Sequence, residues 1–414
     1  MLQNIKDTCY IWEKEMRSVI SDDGVLIFFI LVPLIYPLIY SWAYNNEVVR
    51  DVPVAVVDYS KSQSSRLFTR KCDAAPGVKV AYQCTSIDEA RQLVGHQVVR
   101  GILYFPADFE KKLGRNEQAK VSVFCDMSMM LTYKAIYSTV IEVSQDMNAS
   151  IQVARAGNAT ERDDEVLVRP LDFEEVEMFN TTGGYGNFIL PCVLVLIIQQ
   201  TLLLGIGLSA GTARENNRYQ VLIPLSRHYN GIFRIVFGKS LCYFMIFAVM
   251  TAYDILVVPR LFGFTTIGRP ADLFAVALPY ILACIFFGML CSCVIRYREN
   301  VILLVVFTSL PFLFLAGMSW PESSIPAAWR GVAYLVPSTF GIRALVRINS
   351  MGATLSDVHY EYVLLWIQVA AYFIATCAVY KYQLDKSHRH AIERVTAVRS
   401  AVERQRNKKR GDKQ

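Results

Sequence analysis

Charge is scarce in this chain. Of its 414 residues, 19% are Asp, Glu, Lys or Arg and 53% are hydrophobic, where a soluble domain carries about a quarter charged. That shortage excludes a protein whose whole surface faces water. Histidine is scarcer still: His96, His228, His359, His388 and His390 are the five. Apart from the weak tail pair His388/His390, none has metal-ligand spacing to a carboxylate or thiol, so no metal site and no hydrolase constellation is predicted. Ten cysteines form no CxxC pair. Most sit in apolar segments as small hydrophobes. Cys72, Cys84 and Cys125 lie in a polar stretch, an odd number that argues against a disulfide framework and leaves a Cys72–Cys84 pair open. A phosphate loop is missing too. Gly238-Lys239-Ser240 matches the end of one, but the required earlier glycine is replaced by Phe233, and the segment enters an apolar run rather than following a strand. Lys239 is expected instead at the end of a span, among lipid headgroups.

What is present is clustered apolar sequence. Runs of about 20 apolar residues suit a hydrocarbon layer of roughly 30 Å. They predict spans at 25–44, 184–210, 231–258, 273–295, 300–318 and 361–382. The first is too long for the core of a cleavable leader and is read as a signal anchor. Ahead of it, within 1–24, Ile5, Cys9, Trp12, Met16 and Val19 recur at helical spacing. That pattern predicts an amphipathic helix lying on the membrane surface.

Residues 45–183 change character. Val52–Asp58, Val78–Cys84, Val98–Phe105, Lys120–Cys125 and Val166–Phe173 read as strands. Between them lie helical stretches at Ser62–Lys71, after the capping box Ser86–Glu89, and at Asp108–Leu113. Ile136, Val140, Val143, Met147 and Ile151 form a helical stripe. Alternating strands and helices predict an inserted α/β domain. The fold class expected is therefore a membrane α-helical protein: six transmembrane helices, an N-terminal amphipathic helix and an inserted extracytoplasmic α/β domain.

Orientation follows the Lys/Arg bias of short loops. Loop 211–230 carries Arg214, Arg218 and Arg227, and the turn before the fifth span carries Arg296 and Arg298. The tail from Lys381 to Gln414 has eleven Lys/Arg against four Asp/Glu. These are placed in the cytoplasm with both termini, and the α/β domain and segment 319–360 are placed outside. Arg260 and Arg269, in the loop 259–271, run against that pattern. Polar residues inside spans are functional candidates because hydrocarbon penalises them. They are Gln199 and Gln200, at mid-span and suited to helix packing, Asp254, near the outer end of its span, and Gln368. This is no chain of carboxylates for proton relay, and no inverted repeat is seen across the later spans. Both absences weaken an ion-coupled carrier.

Several local stretches then share one resemblance. They are Trp12-Glu-Lys-Glu-Met-Arg17 before the first span, Gly211-Thr-Ala-Arg-Glu215 running on to Ile223-Pro-Leu225, and Gly238-Lys239. Further on come Leu315-Ala-Gly-Met-Ser-Trp-Pro321, Ile325-Pro326, and Val336-Pro-Ser-Thr-Phe340 with Arg343. Val54-Ala-Val-Val-Asp58 and Gly101-Ile-Leu-Tyr-Phe-Pro-Ala-Asp-Phe109 belong with them. Their order over nearly the whole chain resembles the permease subunits of type-2 ATP-binding-cassette exporters, in the branch with a large extracytoplasmic domain between the first and second spans. One departure is Arg-Glu-Asn-Asn-Arg218, where an Arg-Glu-x-Glu-x-Gly-Thr run is usual.

The resemblance implies a transport subunit without its own nucleotide site. A separate ATPase subunit would bring ATP and Mg and dock at Arg214, Glu215, Arg218 and Arg227. A second permease subunit would face this one. Pro321, Pro326, Pro337 and Arg343 would belong to an outer half-helix or gate. A periplasmic adaptor and membrane lipid complete the expected partners, with no nucleic acid, and the expected location is a bacterial inner membrane. The apolar spans suggest a lipophilic or amphipathic cargo. A membrane receptor or secretion-apparatus component of the same layout stays open as the alternative.

Overall fold

The computed structural model describes residues 2–45, 48–157, 160–171, 176, 178–181, 183–215, 231–295, 297–318 and 320–411, with side chains between 4 and 385. In chain order, helices α1 (Leu2–Ser21) and α2 (Asp23–Ala43) are followed by β1 (Val52–Asp58), α3 (Gln63–Ala74), β2 (Val78–Cys84), α4 (Ile87–Gly95) and β3 (Gly101–Phe105). Next come α5 (Phe109–Gly114), β4 (Ser122–Cys125), α6 (Met130–Ala156) and α7 (Glu161–Val168). The remainder is helical: α8 (Tyr185–Glu215), α9 (Ile232–Leu261), α10 (Pro270–Val294), α11 (Arg298–Leu315), α12 (Ala327–Ala333), α13 (Pro337–Met351) and α14 (His359–Gly411). Two units result, one of residues 46–178 and one of everything else described.

The smaller unit is a four-stranded sheet in the order β2-β1-β3-β4, with β1 parallel to β2 and β3, and β4 antiparallel to β3. β1 is central, and its sequence VPVAVVD has the continuous apolar run that burial on both faces demands. Crossovers between parallel strands are right-handed. The chain steps one way from β1 to β2 and back across to β3, so α3 and α4 fall on opposite faces. Phe68 of α3 joins Val54, Leu103, Phe105 and Ile136 in one core, and Ala90 of α4 joins Ala55, Val57 and Ile102 in the other. The predicted α6 stripe is buried at Ile136, Val140, Val143 and Met147. Cys72 and Cys84 are free thiols in these two separate cores, and burial pushes the Cys72 thiol up to about 12. Val166–Val168 close helix α7 instead of opening a strand. The Thr160 hydroxyl accepts the Asp163 N–H, and Glu161, Asp163 and Asp164 load the first turn. That signal lay upstream of the apolar triplet and outweighs it.

Among the described residues of the larger unit six helices are long and apolar enough to cross a membrane: α2, α8, α9, α10, α11 and α14 over His359–Asp385. α8 is buried nearly throughout, while α11 and α14 expose most of their apolar length. Glycine sets the closest approaches. A Cβ at Gly205 of α8 would stand 2.0 Å from the Phe29 ring of α2, and one at Gly207 would stand 2.4 Å from Val301 of α11. α13 is different in kind. Its 15 residues rise about 22 Å at 1.5 Å each, short of a full crossing, yet it is buried along most of its length among α8, α10 and α14.

Candidate functional site

The buried face of α1 carries acids as well as hydrophobes. Asp7, Ile11, Glu15 and Val19 follow one another at four-residue spacing, and each is less than a tenth exposed. Four-residue spacing lines up one side of a helix. That side lies against the start of α9, where Gly238 lets the backbones meet: a Cβ there would be 2.8 Å from Ile11 and 3.1 Å from the Thr8 carbonyl. Two acids buried on one face need partners, and α9 supplies them. Arg234 Nη1 pairs with Asp7 Oδ2 at 2.8 Å, and Lys239 Nζ pairs with Glu15 Oε2 at 2.7 Å. Tyr243 also donates to Glu15, and Ser209 of α8 donates to it at 3.3 Å. Burial alone would raise the Glu15 carboxyl, but the Lys239 charge and these donors hold it below its ordinary 4.5.

A third acid extends the clasp. Asp22, between α1 and α2, caps α2 by accepting the Gly24 and Val25 N–H groups. It also accepts from Thr212 of α8 at 2.6 Å and pairs with Arg298 of α11 at 2.8 Å. Burial pushes its carboxyl up, and the hydrogen bonds from Thr212, Arg298 and Val25 bring it below 3.8. Asp7, Glu15 and Asp22 thus bind α1 to the ends of α8, α9 and α11. The N-terminal stretch buries three of its acids against cations and donors of the bundle.

The expected site residues fall differently from their sequence reading. Lys239 is 6% exposed and paired with Glu15, so it does not reach headgroups; the acid that draws it inward is 224 positions away. Arg214 is 7% exposed and donates to the Ile295 and Cys293 carbonyls. It is turned into the bundle, away from the surface a docking partner would meet. Glu215 is exposed at the end of α8, and Arg218 and Arg227 lie outside the described residues. Glu15, Tyr243, Asp22 and Arg298 were not singled out as a site. The signal for Glu15 was there in the four-residue run from Asp7 to Val19.

A second cluster gathers around α13. Pro321 precedes a single 3-10 turn at Glu322–Ser324, Pro326 caps α12, and Pro337 is the first residue of α13, where a missing N–H is no loss. Gln199, at mid-helix in α8, accepts the Ser338 N–H at 2.7 Å, so it holds the start of α13. Arg343 of α13 donates to the Ala316 carbonyl at 2.9 Å and pairs with Glu322 at 2.7 Å. Tyr334 donates to the same carboxylate at 2.9 Å, and Gln368 of α14 donates to the Tyr334 carbonyl at 2.8 Å. Burial would raise the Glu322 carboxyl; the Tyr334 and Arg343 hydrogen bonds lower it.

Gln200 and Asp254 stand apart. Both ends of the Gln200 amide, and both oxygens of Asp254, lack a hydrogen-bond partner among the described residues. Asp254, placed near the outer end of its span, is fully buried on a π-helical turn spanning Tyr253–Val257. An unsatisfied buried polar group costs about 1–3 kcal/mol. Asp254→Leu is therefore expected to raise the thermal midpoint in detergent. A variant that is more stable yet transports less would make Asp254 a functional residue; an unchanged or lower midpoint would remove the premise.

Comparison with known proteins places this architecture. The family described as ABC-2 family transporter protein matches residues 24–378. YbhS of Escherichia coli K12, described as a probable multidrug ABC transporter permease, is similar at 23% identity over 338 residues, 80% of this chain and 85% of its own. YbhR of the same organism, described in the same words, is similar at 20% identity over 330 residues, 78% and 84% of the two chains. The chain belongs to the ABC-2 family of transporters, as a membrane-embedded permease subunit with no nucleotide-binding domain of its own.

Proposed function

We propose that this permease is one half of an ATP-driven exporter that moves a lipophilic or amphipathic substrate out across a bacterial inner membrane. The single observation that carries the reading is the three-acid clasp. Asp7, Glu15 and Asp22 join one short helix to the ends of three long ones, beside the exposed Glu215 at the end of α8. A force applied at that end reaches α8, α9 and α11 together, because ion pairs and glycine contacts leave little slack between rigid elements. A separate ATPase subunit, holding ATP and Mg, would apply the force through loop 211–230, with both termini on the same side. Two such permeases would enclose the path, and the α/β unit would lie outside, where a periplasmic adaptor could meet it. The multidrug description of YbhS and YbhR favours apolar cargo, as do spans with few polar residues.

Glu215 tests the docking step. Because it is exposed, Glu215→Lys should leave the fold intact while a like-charge contact costs about 1 kcal/mol or more at a docked face. The expected result is weaker copurification of the ATPase subunit and a several-fold drop in ATP-dependent transport in proteoliposomes. Full transport by the reversed variant would move the docking surface elsewhere. Transport running inward, or persisting without ATP, would overturn the exporter reading itself.

A further inference from the structure

Arg260 and Arg269 run against the charge pattern of the other loops, and the surface beneath them gives both a use. α9 and α10 part near their shared loop to leave a groove of about 400 Å³, within the roughly 300–1,000 Å³ of small-molecule sites. Its walls include Phe244, Ala248, Leu256, Phe274 and Leu278. Thr251 is its one polar lining residue among those described. It is 2% exposed, and its hydroxyl has no hydrogen-bond partner among the described residues. Arg260 follows the lining residue Leu256 by four positions, on the same side of the helix. Arg269 caps α10 two positions ahead of Ala271, which also lines the groove. Both arginines are exposed and make no ion pair among the described residues. The acids nearby in sequence are the half-buried Asp272 and the fully buried Asp254, so the exposed charge here is that of the two arginines.

An apolar slot with an exposed arginine just beyond the lining of each of its two helices describes the complement of an anionic amphiphile. A guanidinium binds phosphate through paired N–H donors, and a slot open sideways between two helices admits a flexible chain more readily than another helix. We propose that the α9/α10 groove binds an anionic phospholipid of the bilayer. Its phosphate lies between Arg260 and Arg269, and one acyl chain fills the slot. A second copy of this chain fits less well, since it would have to bring an acid to two arginines.

The test uses the full chain purified from bilayers of equal parts phosphatidylglycerol and phosphatidylethanolamine, with retained lipid counted by native mass spectrometry. Wild type should keep phosphatidylglycerol preferentially. Arg260→Gln with Arg269→Gln should cut that preference about tenfold, given the usual weight of a basic residue at an anionic surface, with the thermal midpoint unchanged because both side chains are exposed. Ala248→Phe, which fills the slot and leaves the arginines in place, should also lose the lipid. Three results overturn the proposal. One is retention unaffected by removal of the arginines. Another is loss in the arginine variant but not in Ala248→Phe, which reduces the site to surface attraction. The third is a shift of Ala248→Phe from dimer to monomer, which gives the groove to a second copy.

Discussion

Lys239→Met is expected to lose most of its folded protein, because it strands Glu15 as an unpaired carboxylate where both partners are less than a tenth exposed. Breaking a buried ion pair from one side costs about 3–5 kcal/mol, whereas replacing both members with well-packed neutral residues is often close to neutral. The pair of variants separates the two effects. Glu15→Gln with Lys239→Met should recover most of the thermal midpoint that Lys239→Met loses, since Tyr243 and Ser209 still find an acceptor in the amide oxygen. Transport tells the rest. If the clasp transmits force, the double variant folds but couples ATP hydrolysis to transport poorly; if it only glues α1 in place, transport returns with stability. A single variant with a wild-type midpoint would mean the pair is not buried as described.

Acid provides an independent check with a definite sign. The Glu15 carboxyl lies lower in the folded chain than its ordinary 4.5, so its contribution to stability is complete above that value and is lost as pH falls through the depressed folded value. Asp22 follows the same rule from its ordinary 3.8. The difference in thermal midpoint between wild type and the Glu15→Gln/Lys239→Met double should stay flat from neutral pH to about 4.5 and close below it. A difference that shrinks at neutral or alkaline pH would assign the stabilisation to another group.

Much of this architecture was legible because it is written in local pattern. Period and length located α2, α8, α9, α10 and α11 to within about five residues, while α14 runs on to Gly411 past its predicted end, and the run VPVAVVD and the stripe from Ile136 to Met147 placed β1 and α6. What pattern could not supply is pairing across the chain. Lys239 read as a headgroup anchor because its own helix shows only a cation near an end, and the acid that buries it is on α1. Arg214 was expected to dock a partner because the resemblance implied it, while the carbonyls that hold it belong to the end of α10 and the residue after it. Gln199 was read as glue between helices and does join two of them, but its partner, the Ser338 N–H at the start of α13, is visible only in the fold. The inserted unit misled at Val166 for a related reason: three apolar residues weigh less than the cap and acidic turn that precede them.

Gly341 offers the largest steric prediction. Helix propensity alone favours alanine over glycine by about 1 kcal/mol, so Gly341→Ala would stabilise an exposed α13. Here the sign reverses. A Cβ at this position would lie 2.4 Å from the Tyr280 ring, and the ring has nowhere to go, since Tyr280 is fully buried and its hydroxyl is fixed on the Val195 carbonyl at 2.6 Å. Overpacking of this kind costs about 1–3 kcal/mol, enough to outweigh the propensity gain, and it is relieved most directly if α13 moves off α10. Such a shift would pull at the Gln199–Ser338 contact at one end and the Arg343–Glu322 pair further along. The expected result for Gly341→Ala is a lower thermal midpoint and a larger loss of transport than the midpoint alone accounts for. Tyr280→Ala by itself leaves a cavity and costs about 3–5 kcal/mol. Added to Gly341→Ala it should cost less than the sum, because the new methyl then meets space, and neighbouring substitutions couple by about 0.5–3 kcal/mol. Strict additivity of the two, or alanine at 341 with wild-type stability and transport, would show that α13 and α10 do not meet at this point. In that case α13 would have to be held by its packing against α8 and α14 and by the Gln199 and Arg343 contacts.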